Sequence, residues 1–393
     1  MILSKGIRLP WNGHDMPHAA LDLLRGCNIV CDGCYNARPP HVKPLAQLRD
    51  EVDQLLRLRR LQTLTFTGGE PSLHPALLDI ARYVKSKKLR LGMLTNGLLL
   101  NETLAGKLAE VGMDIILLHI QSGQQRPDLP THPSEDQLRA LRAAKARLVT
   151  QRGMEVGLTG IAYPGRSEEI RCLLDETMES PDLSFLLLCR RCNLNKFLGI
   201  RGDIGTRMVA QVQTQASLET MMASEMPEDP FNAAIAEYGL RPFAYIGSSR
   251  DPEHPMWISF FCVAVSNGTG RARWYGVRPS WLDRGLMAMM RRIHGHYVFF
   301  FKSSRAMCRM RLGLSALSNL RNSRLWRVIV DSFRPGVVVR EKHVVIEQSP
   351  ELMPDGEVVY CRECPDATLV NGKLLPPCLA DRAEEMTSCV RVP

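Results

Sequence analysis

Cys27-Asn-Ile-Val-Cys31-Asp-Gly-Cys34 brings three thiols onto one short loop. A structural zinc site gathers four ligands, usually as separated pairs, and a 4Fe–4S cluster is normally held by four cysteines. Three thiolates at CxxxCxxC spacing therefore leave one iron of a cluster uncovered, and an open metal position is where chemistry occurs. A second group stands near the other end of the chain: Cys361-Arg-Glu-Cys364, thirteen further residues, then Cys378. Two thiolates on a knuckle and a third across a hairpin can converge on one metal centre. Cys389, eleven residues beyond Cys378, is the candidate fourth ligand. With it the site is closed and relays electrons; without it an iron is open to substrate. A structural zinc knuckle is the competing reading of the same residues. Cys189-Arg-Arg-Cys192 reads as two buried structural thiols, with a place beside the active site or a donated ligand as the alternatives, and Cys172, Cys262 and Cys308 default to core packing.

Between the two groups lie Leu64-Thr-Phe-Thr-Gly68-Gly69-Glu70-Pro71 and Leu91-Gly-Met-Leu-Thr-Asn96-Gly97, apolar runs that break at glycines and polar residues. CxxxCxxC, then GGEP, then TNG, in this order and at these distances, resembles the N-terminal signature of the radical S-adenosylmethionine (SAM) superfamily, over roughly residues 18–190. The resemblance implies that Cys27, Cys31 and Cys34 hold a 4Fe–4S cluster, with SAM chelating its fourth iron through amino and carboxylate groups. It implies reductive cleavage of SAM to a 5′-deoxyadenosyl radical that abstracts hydrogen from a substrate, fed by an external electron donor of flavodoxin or ferredoxin type. In that reading Glu70 accepts a hydrogen bond from the SAM ammonium. Gly68 and Gly69 permit close backbone approach, because no Cβ intervenes. Asn96, Gln121 and Ser122 are candidates for ribose or carboxylate contacts, and Gly157–Ile161 for packing beside adenine. His119 is either a proton donor in the pocket or a satisfied core histidine. One departure is Gly33, where an aromatic residue is frequent; Tyr35 follows just after. The CxxC-x13-C pattern, with Asn371-Gly372 before its last cysteine, resembles the Twitch/SPASM type of auxiliary-cluster module. That resemblance implies a second 4Fe–4S cluster on Cys361, Cys364 and Cys378, for electron transfer or substrate binding.

Strands and helices must place these residues together. Strand patterns fall at Ala19–Leu24, Leu61–Thr67, Leu89–Thr95, Asp114–Ile120, Met154–Ile161 and Leu183–Cys189, separated by helical segments at 44–59, 75–87, 102–111, 134–150 and 167–178. Strands alternating with helices imply parallel pairing, and runs of Leu, Ile and Val suit strands buried on both faces. Six such units fit an α/β fold, the partial (β/α)6 barrel that the resemblance implies, with a C-terminal α+β module for the auxiliary cluster. Cys27, Gly68, Asn96, Ser122, Gly160 and Cys189 each follow a predicted strand, so they should share the carboxyl rim where barrels of this kind keep their active sites. The pattern changes after about residue 200, giving three parts: a core over 15–200, a bridging or substrate region over 201–340, and the cluster module over 341–393. Within the middle part Thr206–Met222 reads as a helix, 257–277 as a hairpin, and 280–294 and 306–330 as basic helices.

The 393 residues carry twelve cysteines, and the N-terminus lacks an apolar core and cleavage site, so thiols serving as metal ligands in a reducing cytoplasm are expected. No run of 18 uncharged apolar residues suggests a membrane-spanning helix. The formal charge of +9 is unevenly spread: Arg271–Arg334 holds fourteen Lys/Arg against Asp283 and Asp331, a local excess of +12. A solvated face, peripheral contact with anionic lipid, and the lining of an anionic-substrate site are the three readings of that segment. Nucleic acid is disfavoured because no reading motif accompanies the charge. A small molecule, a lipid or a peptide is the expected substrate. The alternative is a non-catalytic iron–sulfur or zinc protein that uses the fold for binding or electron transfer.

Overall fold

A computed structural model describes residues 6–32, 34, 36, 41–163, 166–190, 237–266, 272–299, 304–317, 320–352 and 358–380. The expected helix 206–222, the hairpin tip 267–271, and Gly33, Tyr35, Cys192 and Cys389 lie outside the described residues. Along the chain, β1 (Ile7–Arg8), β2 (His18–Leu24) and β3 (Val30–Cys31) lead into α1 (Leu45–Leu58). There follow β4 (Thr63–Gly68), α2 (Leu77–Ser86), β5 (Arg90–Thr95), α3 (Glu102–Glu110), β6 (Ile115–His119), β7 (Gln124–Gln125), α4 (Glu135–Thr150), β8 (Glu155–Ala162), α5 (Ser167–Glu179) and β9 (Leu183–Arg190). Six of these strands are parallel neighbours in the order β2-β4-β5-β6-β8-β9, which is the partial (β/α)6 barrel. The helices pack because their apolar residues share a face: Leu48, Val52 and Leu55 of α1 are buried at i, i+4 and i+7. α4 starts at a capping box, in which the Gln137 N–H donates to Ser134 Oγ and the Ser134 N–H donates to Gln137 Oε1.

The sheet continues beyond the barrel through β10 (Pro242–Gly247), β11 (Pro255–Ser266), β12 (Arg273–Gly276) and, after helices α6 (Trp281–His294), α7 (Arg305–Leu317) and α8 (Ser323–Ser332), through β13 (Val338–Glu347). β13 pairs parallel with β9 and antiparallel with β11, so eleven strands form one sheet. The strand alternation of period two buries a different core on each face. Phe260, Cys262, Val344 and Ile346 join the residues under α1–α5. Val263, Val265 and Val345 join Phe185, with Cys308 and Leu312 of α7 and Leu325 and Val328 of α8. The last described elements are two small antiparallel ladders, β14 (Glu351–Leu352) with β15 (Val358–Val359) and β16 (Thr368–Val370) with β17 (Lys373–Leu375), then α9 (Pro377–Ala380). β16 lies against the open edge of β2, whose Ala20 N–H donates to Ala367 O at 3.1 Å, while Tyr360 O, just after β15, accepts the Ser249 N–H beyond β10 at 2.7 Å.

Two expectations need correcting. The stretch 306–330 is two helices, not one, because the Asn322 side chain accepts the Leu325 N–H and starts α8 afresh. Gly160 is inside β8 rather than beyond it, and a Cβ there would meet Leu173 Cδ1 of α5 at 2.4 Å. It is a helix-packing residue and adds nothing to the rim.

Lys342 of β13 is buried, its Nζ donating to the carbonyls of Ser180, at 2.6 Å, and Leu183. Burial lowers its pKa to about 7, whereas an unfolded lysine titrates near about 10.4. Between those values the unfolded chain binds more protons, so this group makes stability rise with pH. The urea-derived stability of wild type minus that of Lys342→Met should therefore climb from about pH 7 to 9, by at most about 1.4 kcal/mol per unit. Parallel pH profiles would refute the assignment.

Candidate functional site

The first cysteine loop is fastened to several strand ends at once. At β4, Gly69 N–H donates to Leu24 O at 2.7 Å and Glu70 N–H donates to Gly26 O at 2.9 Å. At the end of β6, β3 and β7 form a two-stranded ladder, with Cys31 opposite Gln124 and Val30 opposite Gln125. At β8, the Tyr163 hydroxyl donates to Asp32 O. Cys27 is exposed and Cys31 and Cys34 are half-buried; among the described residues no cysteine is in a disulfide. Burial pushes the Cys31 thiol up to about 12, helped by the neighbouring Cys34 and Cys27, while a hydrogen bond with Gln124 and the positive Arg126 act the other way. A bound metal ion reverses such a shift by deprotonating the thiol outright.

Asn96 connects this loop to the GGE segment. Its Nδ2 donates to Asn28 Oδ1 at 2.8 Å and lies 3.7 Å from Cys27 Sγ, while its backbone N–H donates to Glu70 Oε2 at 2.8 Å. Glu70 is buried, and its Oε1 accepts from Ser72 N–H at 3.0 Å, Ser72 Oγ and Thr95 Oγ1 at 2.7 Å. With three donors on Oε1 and one on Oε2, Oε2 is the oxygen with capacity for another donor. Gly68 and Gly69 face the incoming cysteine loop: a Cβ on Gly68 (φ +125°) would sit 2.2 Å from Leu24 O, and one on Gly69 2.1 Å from Gly26 O.

The other expected residues are placed as follows. Gln121 Nε2 donates to Ile161 O and Glu169 Oε2, both at 2.8 Å, and its Oε1 accepts the Ile161 N–H at 2.8 Å, tying β6 to β8. Ser122 Oγ donates to Glu169 and accepts from Arg166 at 3.2 Å. His119 Nδ1 donates to Thr159 O at 3.2 Å, and burial lowers its pKa, so its ring is neutral at ordinary pH. Gln124, Arg126, Thr95 and Tyr163 were not legible as site residues. Arg126 is buried, chelates Asp128 at 2.6 and 2.9 Å, and donates to Asn96 O at 3.1 Å. The only signal for it was an arginine a few residues past a strand end.

The second group is assembled from distant segments. Arg59 donates to Cys364 O at 3.0 Å and Pro365 O at 3.3 Å, and Cys361 bridges to Ser248 beyond β10. Burial raises the Cys361 and Cys364 thiols well above their ordinary range, and Cys378 lies close enough to raise both further. Cys189 belongs here too: its Sγ donates to Glu347 Oε2 at 3.4 Å across the β9–β13 register, and its thiol is raised by burial and then by Glu347, Asp366 and Cys378. Burial and the neighbouring Asp366 raise the Glu347 carboxyl. Burial opposes the Asp366 carboxylate, but His18, 3.1 Å away, and Glu347 keep it ionised. Among the described residues no three His, Cys, Asp or Glu side chains stand where they could share one metal ion. A cluster takes one cysteine on each iron, so its ligands need not meet at a point as zinc's do. Both cysteine groups thus fit a cluster by donor chemistry.

Beside this group, under α6 and α7, is a cavity of about 210 Å³ walled by Trp11, Phe243, Trp257, Phe261, Phe299 and three methionines of those helices. Of its polar contributors, Arg311 pairs with Glu341 at 3.3 Å and His343 Nε2 with Ser259 Oγ at 2.8 Å, whereas the buried Trp11 Nε1 finds no hydrogen-bond partner among the described residues. Burial drives the His343 pKa down to about 3, so the imidazole is neutral.

A parallel barrel with a three-cysteine loop clamped to its carboxyl rim agrees with the comparisons. Residues 21–172 match the Radical SAM superfamily, and the chain carries a radical SAM domain over that span. The pre-heme d1 synthase of Dinoroseobacter shibae is 27% identical over 195 residues, 47% of each chain. The tungsten-containing aldehyde ferredoxin oxidoreductase cofactor-modifying protein of Pyrococcus furiosus is 29% identical over 108 residues, 26% of this chain and 30% of that one. The chain thus spans less than half the length of these relatives. The solved structure of Streptococcus suis SuiB bound to S-adenosylmethionine has a TM-score of 0.38 at 14% identity, over 57% of this chain and 48% of that one.

Proposed function

We propose that this chain is a radical SAM enzyme with an auxiliary iron–sulfur centre. Cys27, Cys31 and Cys34 hold the first 4Fe–4S cluster, and Cys361, Cys364 and Cys378, with Cys389, hold the second. When bound, the first cluster and SAM supply a 5′-deoxyadenosyl radical by one-electron reduction, with the electron coming from a flavodoxin or ferredoxin type of donor. The observation that carries this reading is Asn96, whose side chain reaches the Cys27 loop while its backbone N–H binds Glu70.

The protein's own residues then have definite tasks. Glu70 offers Oε2 to the SAM ammonium while Oε1 secures the turn after β4. Gly68 and Gly69 seat the cysteine loop, and Gln121 and Ser122 hold the β6 end against β8 and α5. Arg126 places positive charge beside Cys31, where it favours the thiolate. The neutral His119 forms part of the barrel wall. An apolar portion of the substrate occupies the cavity under α6 and α7, and the setting is a reducing cytoplasm that keeps the thiols available.

The test is anaerobic: cluster-loaded protein with SAM and dithionite should release 5′-deoxyadenosine. Loaded protein that leaves SAM intact would instead support a binding or electron-transfer protein built on the same fold.

A further inference from the structure

Helices α6–α8 carry an apolar surface that no other described residue covers. Among the described residues fourteen large hydrophobic side chains are exposed, and nine of them fall between Trp281 and Phe333. On α6, Trp281 (78% exposed), Met289 and Ile293 (64%) share one face with Arg284 and Arg292. The opposite face sends Leu286, Met287 and Met290 into the cavity. This helix is therefore apolar on both sides, which a water-facing helix ordinarily is not. α7 repeats the pattern with Met310 and Leu317, and α8 with Trp326, Val330 and Phe333 at i, i+4 and i+7, flanked by Arg327 and Arg334. α7 packs on α8, while α6 and α7 share the cavity wall, so the three stripes belong to one helical layer on the sheet.

The charge identifies what covers this layer. By sequence the segment Arg271–Arg334 has an excess of +12; Arg291 and Arg311 pair with Asp15 and Glu341 outside it, while the exposed Arg284, Arg292, Arg327 and Arg334 edge the stripes. A second copy of the chain meeting it across a two-fold axis would set that excess against itself, and like charges oppose such pairing. Trp, Phe, Ile and Leu set among arginines is the composition of helices that lie in a lipid interface, with rings and aliphatic chains below the headgroups and guanidiniums among the phosphates. Each cation held near an anionic bilayer adds to the attraction. No helix among the described residues is long and apolar enough to cross a membrane, so the contact is with one leaflet.

We propose that the outer face of α6–α8 docks the protein on an anionic lipid surface. As a consequence, a substrate resident in that surface reaches the apolar cavity on the inner side of α6. Only that consequence rests on the enzymatic reading above; the docking does not.

The test uses the full chain, loaded with clusters, and vesicles of phosphatidylcholine with or without phosphatidylglycerol. Wild type should co-sediment with the anionic vesicles, bind the neutral ones far less, and lose most of its binding at about 0.5 M salt. Its tryptophan emission should shift to the blue on the anionic vesicles, and the double variant Trp281→Phe/Trp326→Phe should lose that shift. Trp281→Ser/Met289→Ser/Ile293→Ser, checked for wild-type circular dichroism, should bind about tenfold more weakly or worse. Arg284→Glu/Arg292→Glu should weaken binding to anionic vesicles and leave the weak neutral binding unchanged. Absence of binding to anionic vesicles, equal binding to both kinds, or wild-type binding by the serine variant would each overturn the proposal. So would a stable dimer whose tryptophans are already shielded without lipid. 5′-Deoxyadenosine formation is read in the same samples, so docking and SAM cleavage can fail independently.

Discussion

Anaerobic reconstitution of the wild-type chain should yield about eight irons, and Cys31→Ala should bring the count down to about four and abolish 5′-deoxyadenosine formation. Cys31 is the informative position because it sits in the β3–β7 ladder, where the backbone, not the thiol, holds the loop to the barrel. Removing Sγ therefore takes away a ligand and leaves the loop's path intact. Burial pushes this thiol up to about 12, so metal binding there releases a proton. Proton release on loading should fall in the variant along with the iron. Retention of all the iron, or continued SAM cleavage, would remove this triad from the mechanism. The complementary variant Cys364→Ala should lose the other four irons and keep the first cluster's SAM-dependent spectral change. Simultaneous loss of both sets would point instead to a single shared centre.

The second large effect is expected from one methyl group. Gly69→Ala puts a Cβ 2.1 Å from Gly26 O and 2.6 Å from Gly26 C, and neither is the movable end of a side chain. The clash is relieved only if the Leu24–Gly26 backbone moves away from β4, breaking the bonds from the Gly69 and Glu70 N–H groups. Overpacking of this kind costs about 1–3 kcal/mol, and the displaced segment leads directly into Cys27. The variant should melt earlier in urea and lose iron from the first site while the second triad keeps its share. An unchanged melt with full iron loading would show that the loop is not seated as described.

Both variants mark what the sequence could and could not convey. The strand and helix pattern from β2 to β9 was legible because the periodicities are regular: Thr63, Thr65 and Thr67 alternate with Leu64 and Phe66, and α1–α5 keep their apolar residues on one side. The glycines of the GGE element were legible as places of close approach, but the approaching group is the protein's own backbone at Leu24 and Gly26. That contact is set by register between β2 and β4 and has no signature within either segment. Glu70 was legible as a site carboxylate and its Ser72 contacts are local capping bonds, but its bonds from Thr95 and Asn96 were not legible, since they depend on how β4 and β5 end side by side. Arg126 escaped notice for the same reason. The association of Cys189 with Cys378 and Glu347 required β13 to return from beyond 337 and pair with β9, a long-range pairing that local pattern does not encode.

That pairing has a mechanical consequence. β9 belongs to the barrel that carries the first cysteine loop, and β13 leads toward the second cysteine group, so among the described residues both groups adjoin strands of one hydrogen-bonded sheet. Whatever passes from one to the other crosses a gap fixed when the chain folds. On the enzymatic reading proposed above, the fixed β9–β13 pairing should leave turnover paced by arrivals and departures at the two sites.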